Sequence, residues 1–174
     1  MLQIREANEQ DLPQIAAIYG LAVTQTLVTW DYEAPDLETM RQRFMQRTEA
    51  GFPYLVADTG DGELGGFACG SSFHPQPGFR FSVENSIYVA EHCRRQGVGR
   101  RLLEGLIAEC ESRGFRQMIA GISVPGGETS LVFHEALGFR KMGELPNVGW
   151  KHGQWLSALY LQRPLGDGAG TRPG

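Results

Sequence analysis

An alternating apolar stretch, SVENSIYVA at 82–90, is followed within a few residues by the turn RRQGVG at 94–99, and a helical period then begins at once. Val98, Leu102, Leu106 and Cys110 recur every four residues, with Leu103 and Ile107 widening the face. A strand joined to an amphipathic helix through a glycine turn commits the chain to layers of sheet and helix, because each element must bury its apolar side against another. It also places Gly97 and Gly99 at a helix start. Glycines lack a Cβ, so a ligand can approach the main chain closely, and the first-turn N–H groups have no partner inside the helix. With about +0.5 charge from the helix dipole at that end, a pyrophosphate is well matched there. The Rossmann pattern G-x-G-x-x-G and the P-loop pattern G-x-x-x-x-G-K-[ST] are both absent. What stands there is R-x-x-G-x-G, Arg94 to Gly99, and a tight turn with solvated arginines would share that pattern.

Those arginines sit in a chain of 174 residues with a net charge of -4, which argues against a general nucleic-acid coat and for a local anion site. Hydrophobic residues at 41% and charged residues at 21% fit one soluble domain with a real core. No apolar run approaches the ~18 residues a membrane span needs, and no charged-then-apolar leader follows Met1. Cys69, Cys93 and Cys110 lack metal-ligand spacing, and an odd number makes a poor disulfide framework. Reduced thiols, no metal, no membrane and a cytoplasmic location are expected. Residues 1–165 read as one domain, and GDGAGTRPG at 166–174, lacking apolar anchors, reads as a disordered tail.

The elements alternate along the chain. A strand is expected over Leu2–Arg5, then a helix capped by Asn8 with Asp11 three residues on and Ile15, Ile18, Tyr19 and Ala22 on one face. A second helix runs from near Asp36, carries Leu37, Met40 and Phe44, and stops at Gly51. Tyr54–Ala57, the turn TGDGE and Leu64–Phe73 form a hairpin signal, and Phe79–Val89 is a long strand candidate. The helix from Gly97 closes at Gly114. Gln117–Ile122 follows as a strand, Glu128–Leu137 as a short helix ended by Gly138, and Phe139–Leu145 and Trp155–Leu161 as two last strands. The order β-α-α-β-β-β-α-β-α-β-β describes a mixed α/β sheet with helices on its faces. On the strand through 82–90, Glu84, Ser86 and Tyr88 point to one face, and Val83, Ile87 and Val89 to the other. A carboxylate bracketed by apolar residues can have a raised pKa, although a solvated glutamate on an exposed face would read the same.

IYVAEHCRRQGVGRRLLEGLIAEC resembles the acetyl-CoA-binding motif of the GNAT N-acetyltransferases. IREANEQDL, GFPYLVAD, GFRFSVENSIYV, RQMIAGI, SLVFHEALGFRKMGEL and VGWKHGQWL are similar to the phosphinothricin (methionine sulfoximine) N-acetyltransferase branch, over about residues 2–162. The resemblance implies a GNAT fold: a mostly antiparallel mixed sheet, four helices on its faces, and splayed central strands holding acetyl-CoA. It implies acetyl transfer to the α-amino group of a small amino-acid analogue, by direct attack in a ternary complex, and a homodimer.

Residue by residue, it implies that Arg94, Arg95, Gln96, Gly97, Val98, Gly99 and Arg100 hold the pyrophosphate, some arginines meeting the 3'-phosphate. Ile87, Tyr88 and Val89 would offer strand-like hydrogen bonds to the pantetheine arm, with Ser130 nearby. Glu84 would be the general base. His134 would donate a proton to the leaving thiolate or orient a neighbour, a buried structural histidine being the plain alternative; Tyr88 is another candidate acid. Trp30, Tyr32, Phe73, Arg80, Glu84 and Lys151 would line the acceptor pocket, Arg80 meeting a carboxylate. Two departures stand out. Gly127 occupies the place of the family's pantetheine-binding asparagine, and Trp150 and His152 replace aromatics near the acceptor. The competing functions are a GNAT enzyme for another amine, such as an aminoglycoside or protein N-terminus, and a non-catalytic acyl-CoA-binding module.

Overall fold

The computed structural model describes residues 2–173. Its elements run β1 (Gln3–Glu6), α1 (Leu12–Gln25), α2 (Leu37–Glu49), β2 (Tyr54–Asp58), β3 (Leu64–Ser72), β4 (Ser82–Val89), α3 (Val98–Ser112), β5 (Gln117–Val124), α4 (Glu128–Glu135), β6 (Arg140–Lys151) and β7 (Gln154–Pro164). The strands form one sheet in the order β1-β2-β3-β4-β5-β7-β6. Neighbours are antiparallel except β4 and β5, which are parallel. This is the mixed, mostly antiparallel sheet with four flanking helices that the sequence describes.

Local chemistry sets the helix starts. Asn8 and Asp11 form a capping box: the Asn8 side chain accepts from the Gln10 N–H at 2.9 Å, and the Asp11 carboxylate accepts from the Asn8 N–H at 2.8 Å. Asp36 caps α2 through the Thr39 N–H at 2.8 Å. The start of α3 has no side-chain cap, and Gly97 stands there in the left-handed region at φ 79°. Its first-turn donors are therefore left to a ligand or solvent.

Two cores follow from alternation in the strands. Leu12, Ile15, Met40 and Phe44 of α1 and α2 pack on Tyr54, Val56, Phe67 and Cys69. On the opposite face Leu102, Leu103, Leu106 and Cys110 of α3 pack on Leu55, Ala57, Ala68 and Val83. Val98, Leu102, Leu103, Leu106, Ile107 and Cys110 are all buried, as the helical period requires.

The sheet opens in its middle. β4 and β5 are paired only at Ser82↔Gln117, Val83↔Met118 and Glu84↔Ile119, while β4 stays with β3 through Val89 and β5 stays with β7 through Val124. Past Glu84, the β5-facing peptide groups of β4 lie outside any ladder. At the fork the Asn85 side chain donates to the Ile119 carbonyl at 3.0 Å. On the other flank Gly66 allows close approach: its φ is +156°, and a Cβ there would stand 2.5 Å from the Tyr88 carbonyl oxygen.

Two boundaries differ from the sequence reading. Pro77–Phe79 form a 3-10 turn that Arg80 closes, so β4 starts at Ser82 rather than near Phe79. β6 runs on to Lys151 through irregularities at 141–143 and 145–149, where Gly143, Pro146 and Gly149 hide a strand from pattern reading. In the tail, the Gly166 N–H donates to Glu111 at 3.1 Å and Arg116 donates to the Thr171 hydroxyl at 3.0 Å.

Candidate active site

The fork between β4 and β5 opens into a groove of about 1270 Å³, bounded by α1, the loop 90–97, and the starts of α3 and α4. Ile87, Tyr88, Val89, Arg94, Arg95, Gly97, Val98, Gly99, Arg100 and Ser130 all line it. Gln96 does not: its side chain turns back to donate to the His92 carbonyl at 2.7 Å. Arg100 is paired with Glu104 at 2.8 Å, leaving Arg94 and Arg95 as the less committed cations. The groove thus combines a long apolar floor, two side-chain-free positions, an uncapped helix start and arginines, a fit for an extended anionic thioester. Gly127 caps α4 in a tight place, where a Cβ would collide with Ile122 and the Ser123 carbonyl. No side chain could stand there with this backbone, so any replacement for the missing asparagine contact comes from neighbours such as Ser130.

Glu84, Ser86 and Tyr88 face the α1/α2 side of the sheet. A second, smaller cavity of about 40 Å³ lies there, lined by Tyr19, Met40, Arg43, Arg47, Tyr54, Phe67, Cys69, Ser86 and Tyr88. Tyr88 lines both spaces. Burial pushes its hydroxyl pKa well up, so the phenol keeps its proton. Burial also raises the Glu84 pKa, and the positive charge of Arg47 partly opposes it. Among the described residues the Glu84 carboxylate accepts no hydrogen bond. Its Oε1 stands 2.9 Å from the point a Gly121 Cβ would occupy. Gly121 on β5 thus clears the space that the carboxylate uses, and nothing in its sequence context announces this.

His134 lies on the other face. It is 2% exposed, its Nδ1 is 2.8 Å from the Ser130 carbonyl, and its Nε2 is 3.1 Å from Asn85 Oδ1. Asn85 and Glu84 are consecutive on β4, so their side chains leave the sheet in opposite directions. His134 therefore stands against Asn85 and the fork; burial lowers its pKa, and in the neutral ring the Nε2–H tautomer donates to Asn85 Oδ1 while Nδ1 can accept from the Ser130 hydroxyl at 3.3 Å. It does not line the groove.

The expected acceptor residues divide similarly. Lys151 is buried, its ammonium donating to the Thr29 carbonyl at 3.0 Å and hydroxyl at 2.7 Å, so it anchors the 26–36 loop rather than facing an open pocket. That loop carries Trp30, which lies against Gly149, and Tyr32, which is exposed. Asp31 in the same loop accepts from Tyr19 at 2.9 Å and Arg43 at 2.6 Å. Phe73 meets Phe79 edge to face, and Arg80 is exposed with its guanidinium 4.3 Å from the Phe81 ring centre. Among the described residues no hydrogen bond joins Trp30, Tyr32, Phe73 or Arg80 to Glu84. Arg47 went unnoticed in the sequence, although a charge following Met40 and Phe44 on an apolar helix face is itself a signal.

Comparison with known proteins agrees with this geometry. An acetyltransferase (GNAT) domain model matches residues 4–159. The chain is 41% identical to a phosphinothricin N-acetyltransferase of Alcaligenes faecalis, over 98% of this chain and 86% of that one. It is 39% identical to an L-methionine sulfoximine/L-methionine sulfone acetyltransferase of Pseudomonas aeruginosa, over 93% and 94%. The crystal structure of a GNAT superfamily phosphinothricin acetyltransferase from Sinorhizobium meliloti, in complex with acetyl-CoA, superposes with a TM-score of 0.94 at 39% identity, over 99% of this chain and 93% of that one. A sheet forked at its one parallel pair, an uncapped glycine helix start beside the fork, and relatives aligned along almost the whole chain lead to one conclusion: the protein belongs to the GNAT acetyltransferase family.

Proposed function

We propose that the protein transfers acetyl from acetyl-CoA to the α-amino group of a small amino-acid analogue, of the phosphinothricin, methionine sulfoximine and methionine sulfone type. The observation that carries the reading is Tyr88, which lines both the long groove and the small cavity under Ser86, on the sheet face that Glu84 shares. The groove takes the thioester and the Glu84 side takes the amine, so the two meet within one ternary complex. Holding both reactants in place supplies up to ~7–11 kcal/mol of the barrier lowering.

An α-ammonium has no lone pair. Glu84, whose pKa burial raises against the opposing charge of Arg47, accepts one ammonium proton in its ionised form, directly or through water, and the freed nitrogen forms the new N–C bond. Main-chain N–H groups past the fork are placed to meet the oxyanion. As the C–S bond breaks, the thiolate takes the Tyr88 proton, the excess proton on the amide nitrogen passes through water to the Tyr88 oxygen, and Glu84 returns its own proton to solvent. His134 acts by positioning Asn85. Arg80, Trp30, Tyr32 and Phe73 form the outer rim of the acceptor site, and Lys151 fixes the rim loop.

Residues 1–165 form the catalytic domain, the short tail following it. A second copy covers the β6–β7 ribbon, where Met142, Leu145, Val148, Trp150 and Trp155 are exposed. The protein works in the cytoplasm, where acetyl-CoA is made. The test is acetyl-CoA-dependent thiol release with phosphinothricin, methionine sulfoximine, methionine sulfone, an aminoglycoside and a short peptide. Turnover confined to the first three supports the reading. Turnover of the aminoglycoside or peptide redirects it, and acetyl-CoA binding without any turnover overturns it in favour of a binding module.

A further inference from the structure

α2 buries Met40 and Phe44, and Arg47 is next on that face. Its side chain lines the small cavity under Ser86 and Tyr88, among Tyr54, Phe67 and Cys69. One turn earlier Arg43 is answered by Asp31 at 2.6 Å. Arg47 has no such answer: among the described residues its side chain makes no hydrogen bond and no ion pair. The carboxylate that feels its charge is Glu84, which lies on the same face of the sheet.

A guanidinium presents five donors in a planar fork; Arg47 is half-buried and its donors remain open to water, so an oxygen ligand entering the cavity can replace that water with charge-assisted bonds. The cavity, at about 40 Å³, has room for roughly three water-sized groups, so it admits a carboxylate or phosphinate head but not a whole amino acid. Ser86 lies two residues beyond Glu84 on the strand, about 6.6 Å away. An amino-acid analogue spans that distance with its amine at one end and an acidic group at the other.

We infer that Arg47 binds an oxyanion of the acceptor and so fixes the amine at Glu84. This rests on the acetyltransferase reading given above. The oxyanion comes either from the α-carboxylate or from the acidic head group, and the recognising chemistry is the same.

The experiment compares wild type with Arg47→Met and Arg47→Lys, each checked by thermal melting and by calorimetric binding of CoA. Acceptors are phosphinothricin, its α-methyl ester, and 2-aminohexanoate, which keeps the carboxylate but lacks the acidic head. Arg47→Met is expected to raise KM for phosphinothricin by about tenfold or more, with KM for acetyl-CoA within twofold, and Arg47→Lys to recover part of the loss. The penalty disappears with the ester if the carboxylate is bound, or with 2-aminohexanoate if the head group is bound. An unchanged phosphinothricin KM, with only the acid limb of the pH–rate profile displaced, overturns the inference and leaves Arg47 as a charge neighbour of Glu84. A penalty undiminished for both analogues also overturns it. If the wild-type enzyme acetylates none of these acceptors, the functional reading fails and this inference with it; normal wild-type turnover with an unaffected Arg47→Met refutes the inference alone.

Discussion

The carboxylate of Glu84 occupies the space left by the missing side chain of Gly121: a Cβ on Gly121 would stand 2.9 Å from Glu84 Oε1. The obstructing atom is the mobile end of a side chain, so the fold can accommodate an alanine by moving the carboxylate. Gly121→Ala is expected to lower kcat about tenfold or more while the melting temperature stays within a few degrees. Equal kcat in the two proteins would show that the carboxylate position does not matter.

As the proposed base, Glu84 can accept a proton only when ionised. Burial raises its pKa and the charge of Arg47 opposes the rise, with burial dominant. The kcat/KM profile should therefore fall as pH drops through a one-proton limb lying above the ordinary glutamate value of about 4.3. Measurement across pH 4 to 8 checks this, and a limb at or below that ordinary value contradicts the assignment.

Gly97 has open space around it but a φ of +79°. A β-branched residue there strains the backbone rather than meeting a neighbour. Gly97→Val is expected to distort the uncapped start of α3 and weaken acetyl-CoA binding by about tenfold or more, while KM for the acceptor changes little. Calorimetry with acetyl-CoA reads it directly.

Lys151→Met removes both bonds to Thr29. The oxygens left behind lose a buried donor, so stability should fall by about 1–3 kcal/mol. The loop bearing Trp30 should loosen, raising KM for the acceptor and sparing acetyl-CoA binding. Loss of acetyl-CoA binding with an intact acceptor KM would place Lys151 in the other half of the site.

Asp11 accepts two bonds from Arg5 at 2.8 Å and one from the Asn8 N–H at 2.8 Å. The Arg5 bonds hold its pKa below the usual range against the opposing effect of burial. This stabilisation is present above the unfolded aspartate pKa of about 3.9 and is lost as pH falls through the lower folded value. Asp11→Asn should destabilise the protein by about 1–2 kcal/mol at pH 7, Arg5 being partly solvated. The difference should shrink in acid, as paired denaturant melts at pH 7 and pH 3 would show.

The order of strands and helices was legible because alternation and helical period are local properties, and Gly51, Gly97 and Gly114 all stand at left-handed positions as punctuation. The glycine turn is legible for the same reason, and it stands at the uncapped start of α3 where the groove opens. What stayed hidden depends on partners distant in sequence. Gly121 matters through Glu84, 37 positions away in the chain but one strand over, and Asn85 matters through His134 and Ile119. The resemblance puts Lys151 in the acceptor pocket, and nothing local in the sequence reveals its two bonds to Thr29. Gln96 lies within the motif, yet its side chain serves the preceding turn.

The proposed mechanism needs Glu84 as the base on the acceptor side of the fork. The decisive measurement is single-turnover acetyl transfer by Glu84→Gln with saturating acetyl-CoA and methionine sulfone, alongside calorimetric binding of acetyl-CoA. Transfer slowed by about 10²-fold or more with unchanged acetyl-CoA affinity is the expected result if Glu84 is the base. Transfer within a few-fold of wild type would contradict it.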